Sequence, residues 1–225
     1  MTEFDTNKRS LDANWLLAQI DILILSAKKF SNSSFVIYAA LETRNLFERI
    51  EFDLLAIAAK GTDTEIFLRG IRGKTGIKKT NDEYKVLKFR YQSFSSAVTK
   101  AIFEGGSLNK FDYKKSEEFC SKLSQYIHTY SRLPEDIIFE SEFISSGISL
   151  IEECINYLME EFFEIINGYI TYGVFDFKTL TPSVKMEFDK WLIGVDENEE
   201  DLIKRLIEIN NRENGGKKTC ISPSK

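Results

Sequence analysis

Residues 35–60, FVIYAALETRNLFERIEFDLLAIAAK, carry the clearest structural pattern in the chain. Their apolar positions recur at the three- and four-residue spacing of an α-helix. The charges form two roughly opposite stripes: Glu42, Arg49, Asp53 and Lys60 make one, and Arg44, Glu48 and Glu51 make the other. Because apolar residues fill both flanks, we expect this helix to be largely surrounded by protein. One stripe then faces water, and the other faces a cleft, a partner or a second subunit. The alternative is that Arg44 and Glu48 simply form an ion pair one helical turn apart.

Helical periodicity extends over most of the chain, which holds only three prolines. Asp12, Ser34 and Thr181 precede periodic segments and are candidate helix caps. In the first half of the chain, helices are predicted over residues 12–29 and 35–60, over a short segment that begins at 62, and from 81 or 82 to about 104. In the second half, helices are predicted over residues 113–132, 135–166, 182–193 and 196–211. Pro134 is expected to stop the 113–132 helix, and Gly147 is a candidate interruption of the next one.

The chain is therefore predicted to be all-α. Residues 12–167 are expected to form a helical bundle, and residues 168–213 an appended pair of helices. We expect residues 1–11 to be flexible and residues 214–225 to be disordered. The segment NGYITYGVFDF, residues 167–177, is the one place where a short β-strand also fits the pattern.

Composition excludes several classes of protein. No apolar run reaches the length of a membrane span, and the N-terminus is polar, so the cytosol is the expected compartment. Three separated cysteines without a Cys-x-x-Cys pair argue against a disulfide framework. A single histidine leaves too few ligands for a zinc or di-iron site. We therefore predict no metal, no cofactor and no small-molecule substrate.

A loop rich in glycine and cations follows the long helix. Its Gly-Lys-Thr triplet at 73–75 does not fit a phosphate-binding P-loop, because that motif needs glycine where the chain has Leu68. The loop holds five cations and no acid between residues 66 and 80: Arg69, Arg72, Lys74, Lys78 and Lys79. Such a cluster can neutralise RNA phosphates. The alternative is an ordinary solvated loop, which has the same composition. Since the net charge is −5, nucleic-acid binding would have to use a local patch of this kind.

The single histidine, His128, lies in SKLSQYIHTYSR, residues 121–132. On a helical wheel the apolar residues of this segment share one face, and His128 points away from that face. Ser124 and Arg132 lie one turn before and after it. His128 is therefore predicted to be exposed to solvent or directed at a second surface, and not to belong to the core.

Two segments together resemble the HEPN superfamily of helical-bundle proteins. ILILSAKKFSNSSFVIYAALETRNLFERIEFDLLAIA resembles the first helical pair of that family, with an Ala-x-x-x-Arg-x-x-x-Glu helix, and LSQYIHTYSR resembles its later helix with the signature histidine. The resemblance covers roughly residues 12–167. Active members of the family are metal-independent ribonucleases whose motif is an arginine, four to six residues, and a histidine. Two copies of the motif meet at a dimer interface, so the resemblance implies a homodimer.

The resemblance also implies roles for particular residues. His128 would act as general acid or base in the attack of a ribose 2′-hydroxyl, and an arginine would hold the phosphate. This chain departs from the motif, because positions 121–123 are serine, lysine and leucine. Lys122 supplies charge there without the bidentate fork of arginine. Arg132, beyond His128, and Arg44, on the neighbouring helix, are the other candidates for this role.

Because the motif is incomplete, we expect a non-catalytic or degenerate module of a bacterial toxin or phage-defence system. It would bind a partner protein or RNA through the polar face around His128. The alternative is a metal-independent endoribonuclease of the same systems, with a composite site in a dimer. The expected partners are a second copy of the chain, a cognate antitoxin or defence component, and RNA, with no membrane.

Overall fold

The computed structural model describes residues 12–59, 84–102, 108–128, 134, 141–166, 169–172, 180–194 and 198–215. The helices described there are α1 (Ala13–Phe30), α2 (Ser33–Ala58), α3 (Lys85–Ile102), α4 (Tyr113–Ile127), α5 (Glu142–Tyr157), α6 (Pro182–Ile193) and α7 (Glu199–Asn214). A π-helical turn (Leu158–Phe162) extends α5, and two three-residue strands, β1 (Glu164–Ile166) and β2 (Tyr169–Thr171), pair after it. The predicted all-α class is confirmed, and the short strand that fitted residues 167–177 is β2.

Most of the predicted caps are found. The Asp12 side chain accepts a hydrogen bond from the Trp15 N–H at 2.9 Å, and Thr181 caps α6 ahead of its first residue, Pro182. Ser34 is not the cap of α2. The Asn32 side chain accepts from the Ser34 N–H at 2.9 Å instead, so α2 begins two residues earlier than predicted.

The left-handed backbone of Ser31 (φ 47°) ends α1 and turns the chain towards α2.

Three predicted helix boundaries are wrong. Helix α4 ends at Ile127, so residue 128 is its C-cap and not an interior residue. The long helix predicted to reach residue 166 gives way to β1 at Glu164. Helix α5 also runs through Gly147 without interruption. The short helix predicted from residue 62 and the basic loop lie outside the described residues.

Gly147 is needed for close packing. A Cβ atom at this position would lie 2.4 Å from Val36 Cγ1 and 2.9 Å from Tyr126 Cε1. Both distances are shorter than any ordinary contact, so only glycine lets α5 approach these two side chains. This glycine therefore sets how closely α5 packs against α2 and the last turn of α4.

By their contacts the residues form two compact units. The first unit comprises Met1–Glu51 and Asp112–Ile170, and the second comprises Phe52–Phe111 and Thr171–Lys225. In the first unit three aromatic rings form the centre of the core, with centroid distances of 5.6 Å for Phe47–Phe119, 6.4 Å for Phe47–Tyr157 and 5.5 Å for Phe119–Tyr157. Leu16, Ile20, Leu123 and Ile151 are fully buried in the same unit.

The second unit joins α3 to the last two helices. Tyr91 and Phe94, on the buried face of α3, lie 5.8 and 4.8 Å from the Phe188 ring of α6. Leu202 and Leu206 of α7 complete this cluster. The division therefore differs from the predicted one. Residues 52–111 group with the C-terminal helices because the apolar face of α3 packs against them, and not with the bundle of residues 12–167.

Candidate functional site

The second polar stripe of α2 faces the helix that leads to His128. Its charges meet a row of small polar side chains on α4, and both lie in the first unit. We call this set of residues the polar seam: Arg44, Glu48 and Glu51 from α2, with Ser116, Cys120 and Ser124 from α4. A cleft, a partner or a second subunit was predicted to face this stripe, whereas the structure places a neighbouring helix of the same chain against it.

The row on α4 follows from residue spacing. Ser116, Cys120 and Ser124 are four residues apart, which places them one above another on a single helix face. The Asp112 side chain fixes the start of this helix by accepting hydrogen bonds from the N–H groups of Lys114 and Lys115 at 2.9 and 3.0 Å. Small side chains leave room for the longer charged side chains of α2.

The N-terminal end of α4 closes the seam. Glu51 is only 8% exposed, and it accepts a hydrogen bond from the fully buried Ser116 hydroxyl at 2.6 Å. A short bond to a carboxylate is typical of a charge-assisted interaction. Since a buried carboxylate is costly unless it is hydrogen-bonded, this pair stabilises the packing of the two helices.

The other end of the seam is open and holds an arginine. Arg44 Nε donates to Glu48 Oε1 at 3.0 Å, which confirms the ion pair one turn apart. Arg44 Nη1 donates to the Ser124 hydroxyl at 3.1 Å, and that hydroxyl donates to the Cys120 carbonyl at 2.7 Å. The side chains of Arg44 and Glu48 remain 35% and 33% exposed. The guanidinium is therefore held in place while solvent still reaches it.

His128 ends α4 next to this open end. Its backbone N–H donates to the Ser124 carbonyl at 3.0 Å, and its side chain is exposed, as predicted. Ser124 thus contacts both residues, the Arg44 guanidinium through its hydroxyl and the His128 backbone through its carbonyl. Lys122 and Arg44 are the candidates for the missing arginine that lie among the described residues. Of these two, Arg44 contacts Ser124, one turn before His128.

Lys122 is the other predicted site residue that the structure describes, and it does not join the seam. Lys122 is exposed, and its ammonium lies 5.8 Å from the centre of the Phe119 ring. Arg132 lies outside the described residues, as do the five cations predicted to bind RNA: Arg69, Arg72, Lys74, Lys78 and Lys79.

Cys120 is a seam residue that sequence reasoning missed, because the cysteines were considered only by number and spacing. Burial, followed by the charges of Glu51 and Glu48, raises the pKa of its thiol to about 12, and Arg44 opposes this effect. Burial and Glu51 likewise raise the pKa of Tyr113. The thiol therefore stays protonated at neutral pH, which makes Cys120 a poor nucleophile. The four-residue spacing from Ser116 to His128 is the signal that would have found the seam.

Comparisons with protein-family models, with curated proteins and with solved structures find no match to this chain. Within the described ranges no helix is long and apolar enough to cross a membrane. The same ranges contain no group of three or more histidine, cysteine, aspartate or glutamate side chains placed to hold a metal ion. The function must therefore be argued from the seam and the surface beside it.

Proposed function

We propose that this chain is a non-catalytic, HEPN-like helical module that binds a partner protein through the exposed surface beside His128. The proposal rests on the hydrogen bonds that Arg44 makes within the chain. Among the described residues, Arg44 is the arginine at Ser124 and the end of α4, and it already binds Glu48 and Ser124.

A phosphate clamp needs a guanidinium whose donors are available to the phosphate. Arg44 uses Nε on a carboxylate and Nη1 on a hydroxyl, so a phosphate would have to displace Glu48 and approach its negative charge. Lys122 cannot take over this role in a bidentate manner, and its ammonium lies over Phe119. These contacts favour a structural role for the seam.

The surface beside His128 has the composition of a protein-binding surface. Ser121, Lys122, Gln125 and His128 are all exposed on the last turns of α4, and the acidic side chains of Glu117 and Glu118 are exposed one turn earlier. Among the described residues of this surface, Glu117 and Glu118 lie near Lys122 and weaken its attraction for an RNA backbone. Mixed polar groups of this kind suit hydrogen bonds to a protein. The resemblance implies a cognate antitoxin or defence component as the partner.

Site-specific photocrosslinking in the native host tests this proposal. A benzoylphenylalanine residue would replace Gln125 in the proposed surface or Ile193, which is 80% exposed in the second unit, as the matched control. We expect one protein adduct at position 125 that is absent at position 193 and is lost in the His128→Ala variant. Equal adducts at both positions, or an adduct that His128→Ala leaves unchanged, would contradict the proposal.

A metal-independent ribonuclease is the second candidate, and one observation favours it. Ser124 contacts both the Arg44 guanidinium and the His128 backbone, so an arginine from α2 is available to replace the missing motif residue. In this case Glu48 restrains Arg44, and Glu48→Gln should increase RNA cleavage while Arg44→Ala abolishes it. Arg49→Ala, on the opposite stripe of α2, is the control that should leave cleavage unchanged. If Glu48→Gln and Arg44→Ala have no effect on cleavage, this mechanism is excluded.

A further inference from the structure

The outer face of α1 presents an apolar centre to solvent. Leu25 is 65% exposed and Ile22 is 44% exposed, while Leu16, Ile20 and Ala27 on the inner face are fully buried. A helical wheel places Leu25 in the middle of the exposed face, one turn from Asp21 on one side and one turn from Lys28 and Lys29 on the other. Single exposed leucines are common on protein surfaces, but this leucine lies at the centre of an ordered pattern of charges.

The charges on this face are arranged in opposite signs about Leu25. Asp21 is exposed and has no hydrogen-bond or ion-pair partner among the described residues. Burial of part of its surface raises the pKa of Asp21, as expected for a carboxylate without a cation beside it. Lys29 is exposed, with its ammonium 5.1 Å from the centre of the Phe30 ring, and Lys28 pairs with Glu152 at 2.6 Å while half of its side chain remains exposed.

Only one orientation of two such faces is self-complementary. In an antiparallel pair with a two-fold axis at Leu25, Asp21 of each copy lies level with Lys29 of the other, since each is four residues, or about 6 Å, along the helix from the axis. Lys28 lies about 4.5 Å from the axis on the same side as Lys29. Ile22 and Leu25 then pack between the flanking charges. A parallel pair would place aspartate against aspartate and lysine against lysine, which is unfavourable.

We propose that the outer face of α1 is a homodimer interface, in which two copies of this chain pack antiparallel across a two-fold axis at Leu25. The interface contains neither His128 nor Arg44, so it stands independently of the proposed function.

The expected dimer is weak. Helix α1 has 18 residues and is about 27 Å long, so one helix pair belongs to the small class of interfaces, below roughly 1,200 Å². A dissociation constant on the order of 10 µM is typical of such contacts. The dimer should therefore form and dissociate over the concentration range of an ordinary solution measurement.

Sedimentation velocity of the full chain, from about 1 to 200 µM, tests the interface. The wild type should change from monomer to dimer over this range. Leu25→Glu should weaken association by ~30-fold or more, because it places two carboxylates at the axis. Ile193→Glu, at an equally exposed apolar residue of the second unit, should leave the dimer intact. A wild-type monomer at the highest concentration, or a dimer that Leu25→Glu does not affect, would overturn the proposal.

A charge-swap experiment tests the antiparallel arrangement. Asp21→Lys reverses the charge on one side of Leu25, and Lys29→Glu reverses the charge on the other side, while Lys28 keeps its ion pair with Glu152. Each variant alone should be monomeric, and an equimolar mixture should form heterodimers. Circular dichroism checks that both remain folded, as expected when only exposed side chains change. Dimers of either variant alone, or a mixture that stays monomeric, would contradict this arrangement.

Discussion

The two ends of the polar seam lie between the same two helices, but their charged side chains differ in exposure to solvent. At the closed end, Glu51 and Ser116 are buried together and share a 2.6 Å hydrogen bond. At the open end, Arg44 and Glu48 are about one-third exposed beside Ser124. The difference shows that a polar stripe on a buried helix can stabilise packing at one end and leave a charged group accessible at the other. Functional roles should therefore be sought at the open end.

The same difference predicts how strongly each end responds to mutation. A buried carboxylate that loses its donor retains the cost of its desolvation, whereas an exposed pair exchanges its partner for water. An ion pair one turn apart on a helix surface contributes only about 0.3–0.5 kcal/mol. Changes at the closed end should therefore affect stability, and changes at the open end should affect function.

Gly147→Ala should have the largest effect, because its Cβ would meet the buried Val36 at 2.4 Å and the half-buried Tyr126 at 2.9 Å. Overpacking of this kind costs about 2–3 kcal/mol even after the better helix propensity of alanine. Chemical denaturation measures the loss, and Ser149→Ala, on the exposed side of the same helix, is the control. If Gly147→Ala is as stable as the wild type, α5 does not pack as described.

Ser116→Ala tests the closed end directly. Alanine removes only the hydroxyl that donates to Glu51. The free energy of unfolding should fall by about 2 kcal/mol, because a buried charged acceptor loses a hydrogen bond. The double variant Ser116→Ala with Glu51→Leu should recover part of this loss, since it removes the carboxylate as well. No recovery would mean that the carboxylate is not the source of the cost.

The stability of the protein should depend on alkaline pH through Cys120, in the middle of the seam. The pKa of Cys120 is raised from 9.0 to about 12 in the folded protein, so above pH 9 the unfolded chain loses this proton while the folded chain keeps it. Stability should therefore fall as pH rises from about 9 to 12, by at most about 1.4 kcal/mol per pH unit for one thiol. Cys120→Ser should make this slope shallower, which denaturation at pH 8, 9 and 10 would detect. An unchanged slope would contradict the burial of the thiol.

Ser124→Ala should have the smallest effect on stability. The hydroxyl that accepts from Arg44 is only half-buried, so water can take its place and the loss should stay within about 0.5 kcal/mol. His128→Ala should be equally mild because the side chain is exposed. Thermal unfolding of both variants, beside Ser116→Ala, measures the difference in stability loss between the two ends. If the substitution at Ser124 lowers stability as much as the substitution at Ser116, the two ends of the seam do not differ as described.

Local patterns in the sequence predict most of the fold. Apolar periodicity and polar caps predict α1, α2, α3, α6 and α7 because these signals lie within each segment. The end of α4 was missed because no glycine or proline lies between residue 113 and Pro134, so the periodicity simply continues through Tyr130. The change from helix to β1 at Glu164 has the same explanation, since no glycine or proline lies between Gly147 and Gly168.

The candidate site could be predicted only in part. The exposed His128 and the Arg44–Glu48 pair follow from positions on single helices. The bond from Glu51 to Ser116 depends on the register between two helices that are distant in sequence, and periodicity carries no information about that register. The grouping of α3 with α6 and α7 was missed for the same reason.

Incubation of the purified protein with total RNA in EDTA, beside the His128→Ala variant, tests the central claim most directly. Because Arg44 is bound by Glu48 and Ser124, we expect both proteins to leave the RNA intact, with no new 2′,3′-cyclic phosphate ends. Cleavage by the wild type that leaves such ends and is lost in His128→Ala would contradict the non-catalytic assignment and establish the ribonuclease.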